Sequence, residues 1–272
     1  MAIGVGIGVP FKHSGGGGGG GVFVLDDYPA HVACSLQKLR SAYEGSAIRV
    51  RRSSDNAEQD IGFTDNALDS SSLLTFVGAG DGFVTIAYDQ VGSSNFTQTT
   101  AARQPKVVSS GVMITDTNGL AAISLDGVND HFNNNTLGGT TVLDAYRVGS
   151  TSDNRFMMFS GSASNQYSFV SSVGDGTTPS SSNYNSPSLY VNNVLKTSTT
   201  WGNCYTAIVL GTPTVVNHMG ASTTGWSYFR VGKWTGGGYD YNGKVQAMVF
   251  YNADTTTNHA AITNLLTDTY VP

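Results

Sequence analysis

The chain has 272 residues, of which only 12% are charged and 34 are glycine, and its formal net charge is −5. Charged side chains usually make up about 25% of a soluble domain, so this surface is built from Ser, Thr, Asn and Gly, as in extracellular carbohydrate-binding proteins and viral shell or fibre proteins. No basic run exceeds Arg51-Arg52, which argues against nucleic-acid binding through phosphate neutralisation, and no apolar run approaches the roughly 20 residues of a membrane-spanning helix.

Residues 1–21 read as a separate unit. Met1 to Pro10 alternates apolar residues with glycine, and Gly15 to Gly21 is an unbroken glycine run. The first ten residues carry no basic n-region and Lys12 follows the apolar stretch, the wrong order for a secretory signal. A short apolar β segment before a glycine linker is suited to pairing with another chain, so an assembly arm is expected here.

Residues 22–105 read as mixed α/β. Apolar positions 32, 36, 39 and 43 predict a helix over Ala30 to Tyr43, stopped at Gly45. Ile48 to Arg52 alternates as a strand, with Ile48, Val50 and Arg52 on one face. Asp69 or a neighbouring serine is placed to cap a second helix carrying Leu73, Leu74, Phe76 and Val77, ended at Gly78. Phe83 to Tyr88 is β-branched and aromatic, hence a strand.

Residues 106–272 read as all-β. Strands are expected at Val107-Val108, Gly111 to Ile114, Ala121 to Leu125, Phe156 to Phe159, Tyr167 to Val170, Leu189 to Val194, Ala207 to Leu210, Tyr228 to Gly232 and Lys244 to Tyr251. Turn signals at Asp116 to Gly119, Asp126-Gly127 and Gly174-Asp175-Gly176 punctuate them. A closing helix is expected over about Thr257 to Leu266. Many short strands at this spacing mean a sandwich or jelly roll, with residues 22–272 forming one domain.

The segment 41–63, SAYEGSAIRVRRSSDNAEQDIGF, resembles the start of the catalytic domain of the secreted B-type α-L-arabinofuranosidases. There a short helix ending in S-x-Y leads to a strand, an Arg/Lys-Arg-Ser-Ser-Asp turn and D-I-G. The likeness continues through Gly82-Phe83-Val84-Thr85, Tyr88-Asp89-Gln90 and Thr97-Gln98. Leu125 to Phe132, Phe229 to Gly232 and Tyr241 to Val245 resemble the laminin-G/concanavalin-A-like superfamily. The resemblance implies a concanavalin-A-like jelly-roll sandwich, and with the elements above the chain is expected to be mainly β, with a few short helices and an extended N-terminal arm at residues 1–21.

It also implies retaining glycosidase chemistry, in which a nucleophilic carboxylate lies about 5 Å from a second carboxylic acid. In that family the nucleophile is a downstream Glu, whereas the only glutamates here are Glu44 and Glu58. The family's acid/base Asp lies in a Gly-Gly-Asp-Asn loop that aligns with Gly232 to Gly236, where no acid is found, although Asp240 is nearby. The remaining candidates, Asp89, Asp126, Asp130 and Asp175, sit in turn-like contexts that favour Asp for local bonding. On this ground the chain is expected not to be an enzyme.

Other constellations carry less chemistry. Arg49, Arg51 and Arg52 with Asp55, Glu58 and Asp60 read as a structural ion-pair network. The five histidines show no metal-binding spacing, so neither a metal nor a cofactor is expected. Cys34 and Cys204 read as two buried thiols, with a disulfide as the alternative. Trp234, Tyr239, Asp240 and Tyr241, in a loop with three glycines, are the candidate carbohydrate-binding residues, and the alternative is that these rings cover the end of the core. The favoured expectation is a bacteriophage virion protein, anchored to other virion proteins through residues 1–21. It would be homo-oligomeric, with a trimeric spike or fibre favoured, and would display its sandwich toward a host surface glycan. The alternative is a bacterial carbohydrate-binding protein or a residual arabinofuranosidase-like glycosidase.

Overall fold

The computed structural model describes residues 22–152, 159–161, 167–168, 188–196, 208–233 and 240–270. They form a mainly β fold of two large antiparallel sheets packed as a sandwich, a two-stranded ribbon of Phe63–Thr64 and Ala67–Leu68, and helices α1 (Val24–Asp27), α2 (Ser70–Val77) and α3 (His259–Tyr270). The smaller sheet runs Val32–Ser35, Ala247–Tyr251, Leu143–Gly149, Thr214–Ala221, Ser188–Val191, Val194–Lys196. The larger runs from Tyr167–Ser168 through Phe159–Ser160, Phe229–Val231, Phe132–Asn134, Phe96–Thr97, Gly82–Ala87, Lys106–Ser109 and Ile123–Asp126 to Asn242–Val245. The Ile48–Arg52 strand joins it on Gly82–Ala87 and pairs in turn with Glu58–Ile61.

Alternation along each strand divides the interior into two layers. Val32, Ala145, Val216, Met248 and Phe250 face the larger sheet and meet Ile48, Val50, Val84, Leu125 and Phe132. Their neighbours Ala33, Tyr146, Val148, Val215 and Val249 face the other way, onto Leu25 of α1 and Ile262, Leu266 and Tyr270 of α3. The smaller sheet is therefore covered on both faces, which is why Leu143–Gly149 and Ala247–Tyr251 are buried at every residue. Among the described residues the larger sheet packs its core on one face, and its Ile48–Arg52 strand buries Ile48 and Val50 while Arg49, Arg51 and Arg52 stay partly exposed.

Several sequence expectations hold. Asp69 caps α2 by accepting from the Ser72 amide at 3.0 Å, and Gly78 ends it at φ 67°. The closing helix is present and runs to Tyr270. Others are corrected. Ala30 to Tyr43 is not a helix; Val32–Ser35 is a strand, and a loop follows it. The Ala33 amide donates to Asp89 Oδ1 at 2.9 Å, the Gln90 amide to the Ala33 carbonyl at 2.7 Å, and the Leu39 amide to Gln90 Oε1 at 2.7 Å. These distant partners satisfy the backbone groups that a helix would have paired locally, and the apolar spacing recorded burial of Leu36 and Leu39 rather than a helical face.

The strand expected at Ala207 to Leu210 is also displaced. Val209 and Leu210 are exposed, and the strand begins at Thr214. Leu189 to Val194 is a hairpin instead of one strand, turned by Asn192 and Asn193 at φ 46° and 65°. Lys244 to Tyr251 divides at Gln246, where the chain passes from the larger sheet to the smaller. The Gln246 side chain occupies the gap, donating to Asn118 Oδ1 at 3.1 Å and accepting from Asn118 Nδ2 at 2.9 Å. Cys34 is a buried free thiol, and Cys204, residues 1–21 and the Gly174 to Gly176 turn lie outside the described residues.

Candidate functional site

The exposed face of the larger sheet carries the side chains that point away from the core. Strand register aligns Glu58, Arg51, Phe83, Lys106, Ser124 and Lys244 across it, each opposite the next. Directly opposed residues share a face, so this row is one continuous surface. A cleft of about 550 Å³ opens over its middle, lined by Phe83, Gln104, Lys106, Ser124, Asp126 and Asp130 together with Ala101 and Ala102 of the short turn Ala101–Arg103.

The two carboxyl groups of this cleft belong to one turn. Asp126 Oδ1 accepts from the amides of Val128, Asn129 and Asp130 at 2.8, 3.0 and 3.2 Å, and Gly127 supplies the turn at φ 71°. Asp130 Oδ2 accepts from the Asp126 amide at 3.2 Å. Their protonation is driven apart. Burial raises the Asp126 pKa, but the three amides outweigh it and hold the group below its ordinary value. Burial, and then the charge of Asp126, push Asp130 up to about 7. One carboxyl group is thus ionised while its neighbour is poised to carry a proton near neutrality.

The arginines around the cleft divide into two kinds. Arg49 binds Asp60 through two contacts of 2.7 and 2.8 Å, and Tyr88 also donates to Asp60 at 2.6 Å. Arg52 binds Asp55 in the same fashion at 2.8 and 2.7 Å. Arg51 instead donates to Gln104 Oε1 and Asn56 Oδ1, both at 2.7 Å, and stacks over the Phe83 ring at 4.7 Å. Lys106 lies 5.5 Å from the same ring and pairs with Asp81 at 2.9 Å.

The structure places Asp240 and Tyr241 inside the molecule, 3% and 1% exposed. Asp240 pairs with Lys233 at 2.7 Å. The Tyr241 hydroxyl donates to the Ser150 carbonyl and accepts from Arg147 Nη1, each at 2.6 Å, so its ring supports a buried arginine instead of lying open as a sugar platform. Trp234 and Tyr239 lie outside the described residues. Of the other aspartates, Asp89 is occupied by the amides of Ala33, Val91, Gly92 and Ser94, and Asp175 lies outside the described residues. Among the described residues no three His, Cys, Asp or Glu side chains form a metal-binding group, and no helix is long and apolar enough to cross a membrane.

No family model matches the chain, and no curated protein matches it. Solved structures do. An arabinofuranosidase complexed with arabinofuranosyl-α-1,2-xylobiose is 15% identical with a TM-score of 0.57. A mutant GH54 α-L-arabinofuranosidase soaked with 4-nitrophenyl α-L-arabinofuranoside is 14% identical with a TM-score of 0.59. A GH54 α-L-arabinofuranosidase soaked with a cyclic sulfate inhibitor is 13% identical with a TM-score of 0.56. Each match covers 91% of this chain and 64% of the solved one. The shared fold is that of the arabinofuranosidases.

This corrects the expectation that the chain is not an enzyme. All three solved neighbours are arabinofuranosidases, and although the only glutamates of this chain are Glu44 and Glu58, paired aspartates remain available to do acid–base work. None of the three is a virion protein, so the phage expectation draws no support from them.

Proposed function

We propose that this chain acts on a glycoside of the arabinofuranosyl class, bound in the cleft over Phe83, Lys106 and Ser124. Asp130 gives its proton to the leaving glycosidic oxygen, ionised Asp126 meets the developing positive charge, and water adds to the anomeric carbon and returns a proton to Asp130. The observation that carries this reading is the pair of neighbouring carboxyl groups lining one cleft, one held ionised and the other raised toward neutrality, a division of protonation that acid catalysis of glycoside hydrolysis uses. The arabinofuranosidase-type fold over 91% of the chain supports it.

Release of 4-nitrophenol from 4-nitrophenyl α-L-arabinofuranoside tests it. The wild type is expected to turn over, with Asp130→Asn slower by about 10²-fold or more. Turnover that is absent in the wild type, or equal in the variant, overturns the assignment.

A further inference from the structure

We propose that Arg51 is the anion-recognition residue of this cleft, and that the ligand it selects is a uronic-acid-bearing glycan. The inference rests on the saccharide reading above and names the class of saccharide.

Three arginines sit within one strand, and only Arg51 lacks an acidic partner. Arg49 and Arg52 are each neutralised through two contacts with an aspartate. Arg51 is held by two side-chain amides and an aromatic ring, all uncharged. Such partners fix the orientation of the guanidinium without cancelling its charge. Nε and Nη1 are committed to Gln104 and Asn56, which leaves Nη2 without a protein partner among the described residues. A planar guanidinium so oriented suits a carboxylate better than a flexible ammonium does.

Position ties this group to the cleft. Two of the residues that hold Arg51, Gln104 and Phe83, are cleft walls. Among the described residues no acid makes an ion-pair contact with it. Glu58 faces Arg51 across the strand pair but makes its contact, at 3.5 Å, with Thr85. Asp81 is taken by Lys106. Asp126 lies on the strand beyond Lys106, and the three strand steps from Arg51 to that strand amount to about 14 Å. Arg51 thus stands at the rim of the cleft, behind its walls Gln104 and Phe83, and Asp126 and Asp130 line the other side. A glycan lying across the cleft would set a carboxylate on Arg51 and its neutral hydroxyls and glycosidic oxygen toward the aspartates. Arg51 acts by binding; the proton transfer belongs to Asp130.

Calorimetry at low ionic strength tests this with trigalacturonate, its methyl ester and a neutral arabinoxylan oligosaccharide. The wild type is expected to bind the acid about tenfold or more tightly than the ester. Arg51→Gln is expected to abolish that preference and leave binding of the neutral oligosaccharide unchanged, while Arg52→Gln keeps the preference. Equal binding of acid and ester by the wild type, or a preference that survives Arg51→Gln, overturns the proposal. If Arg51→Gln does not fold, Arg51→Lys, which keeps the charge but not the fork, is expected to lose part of the preference, and an undiminished one overturns it. Neutral binding without acid preference leaves the arabinofuranoside reading standing and removes this one. Acid preference that depends on Arg51, without neutral binding, does the reverse. No binding of any ligand removes both.

Discussion

At Asp130, burial and the neighbouring Asp126 charge act in the same direction, and the consequence reaches beyond catalysis. A carboxyl group raised from 3.8 to about 7 binds its proton more tightly in the folded chain than in the unfolded one. Its contribution to stability is therefore complete below pH 3.8 and lost as pH rises through about 7. The buried histidines act at the other end. Burial pushes His218 down to about 3 and His131 down to about 4 from 6.5, so the unfolded chain takes up these protons first. Their contribution is present above pH 6.5 and lost as pH falls toward 3 to 4. Asp130→Asn keeps an acceptor for the Asp126 amide and removes the titration. Its denaturation midpoint is expected to exceed that of the wild type at pH 8, with the difference vanishing by pH 4. A difference that stays constant across pH would show that Asp130 is ionised throughout, and would remove its role as proton donor as well.

At the level of elements, close approach of backbones explains what local pattern does not. The strand Leu143–Gly149 ends beside Asn242–Val245, and a Cβ on Gly149 would lie 2.0 Å from the Lys244 carbonyl at a φ of 148°. Gly139 has a φ of 82° but no atom within 4 Å of such a Cβ. Gly149→Ala is therefore expected to cost well over the 1–2 kcal/mol that left-handed backbone alone costs, and Gly139→Ala about that amount. Urea denaturation of the two variants checks this, and equal losses would deny the close approach. The same distinction governs what was legible in the sequence. The Asp69 cap, the Ile48–Arg52 alternation and the closing helix depend on neighbours in the chain, and each could be read from it. Val32–Ser35 depends on Asp89, Gln90 and Phe250, and looked helical because both of its faces are buried. Leu143–Gly149 gave no alternating pattern for the same reason. Asp126 and Asp130 were visible as turn residues, but their place in a cleft depends on the register of three other strands. Arg51 was grouped with its two neighbours because spacing alone does not say which arginines find an aspartate.

For the molecule as a whole, the smaller sheet is the structural centre, since it is packed against the larger sheet on one side and against α1 and α3 on the other. Helix α3 is joined to it by polar as well as apolar contacts. Asn217 Nδ2 donates to Thr263 Oγ1 at 2.6 Å, and Tyr270 bonds Ser35 and, through its carbonyl, Asn118 Nδ2 at 2.5 Å. Asn118 also holds Gln246 at the crossover between the sheets. A contact made by α3 is thus shared with the point at which the two sheets are linked, and the sandwich should unfold with the helix and not after it. Leu266 is fully buried at the centre of that packing. Leu266→Ala is expected to cost about 2–5 kcal/mol, through a single transition that far-ultraviolet and near-ultraviolet circular dichroism report at the same denaturant concentration. An early helical transition, with the aromatic signal of the sandwich lost only later, would show that α3 is an independent layer and that the cleft face does not depend on it.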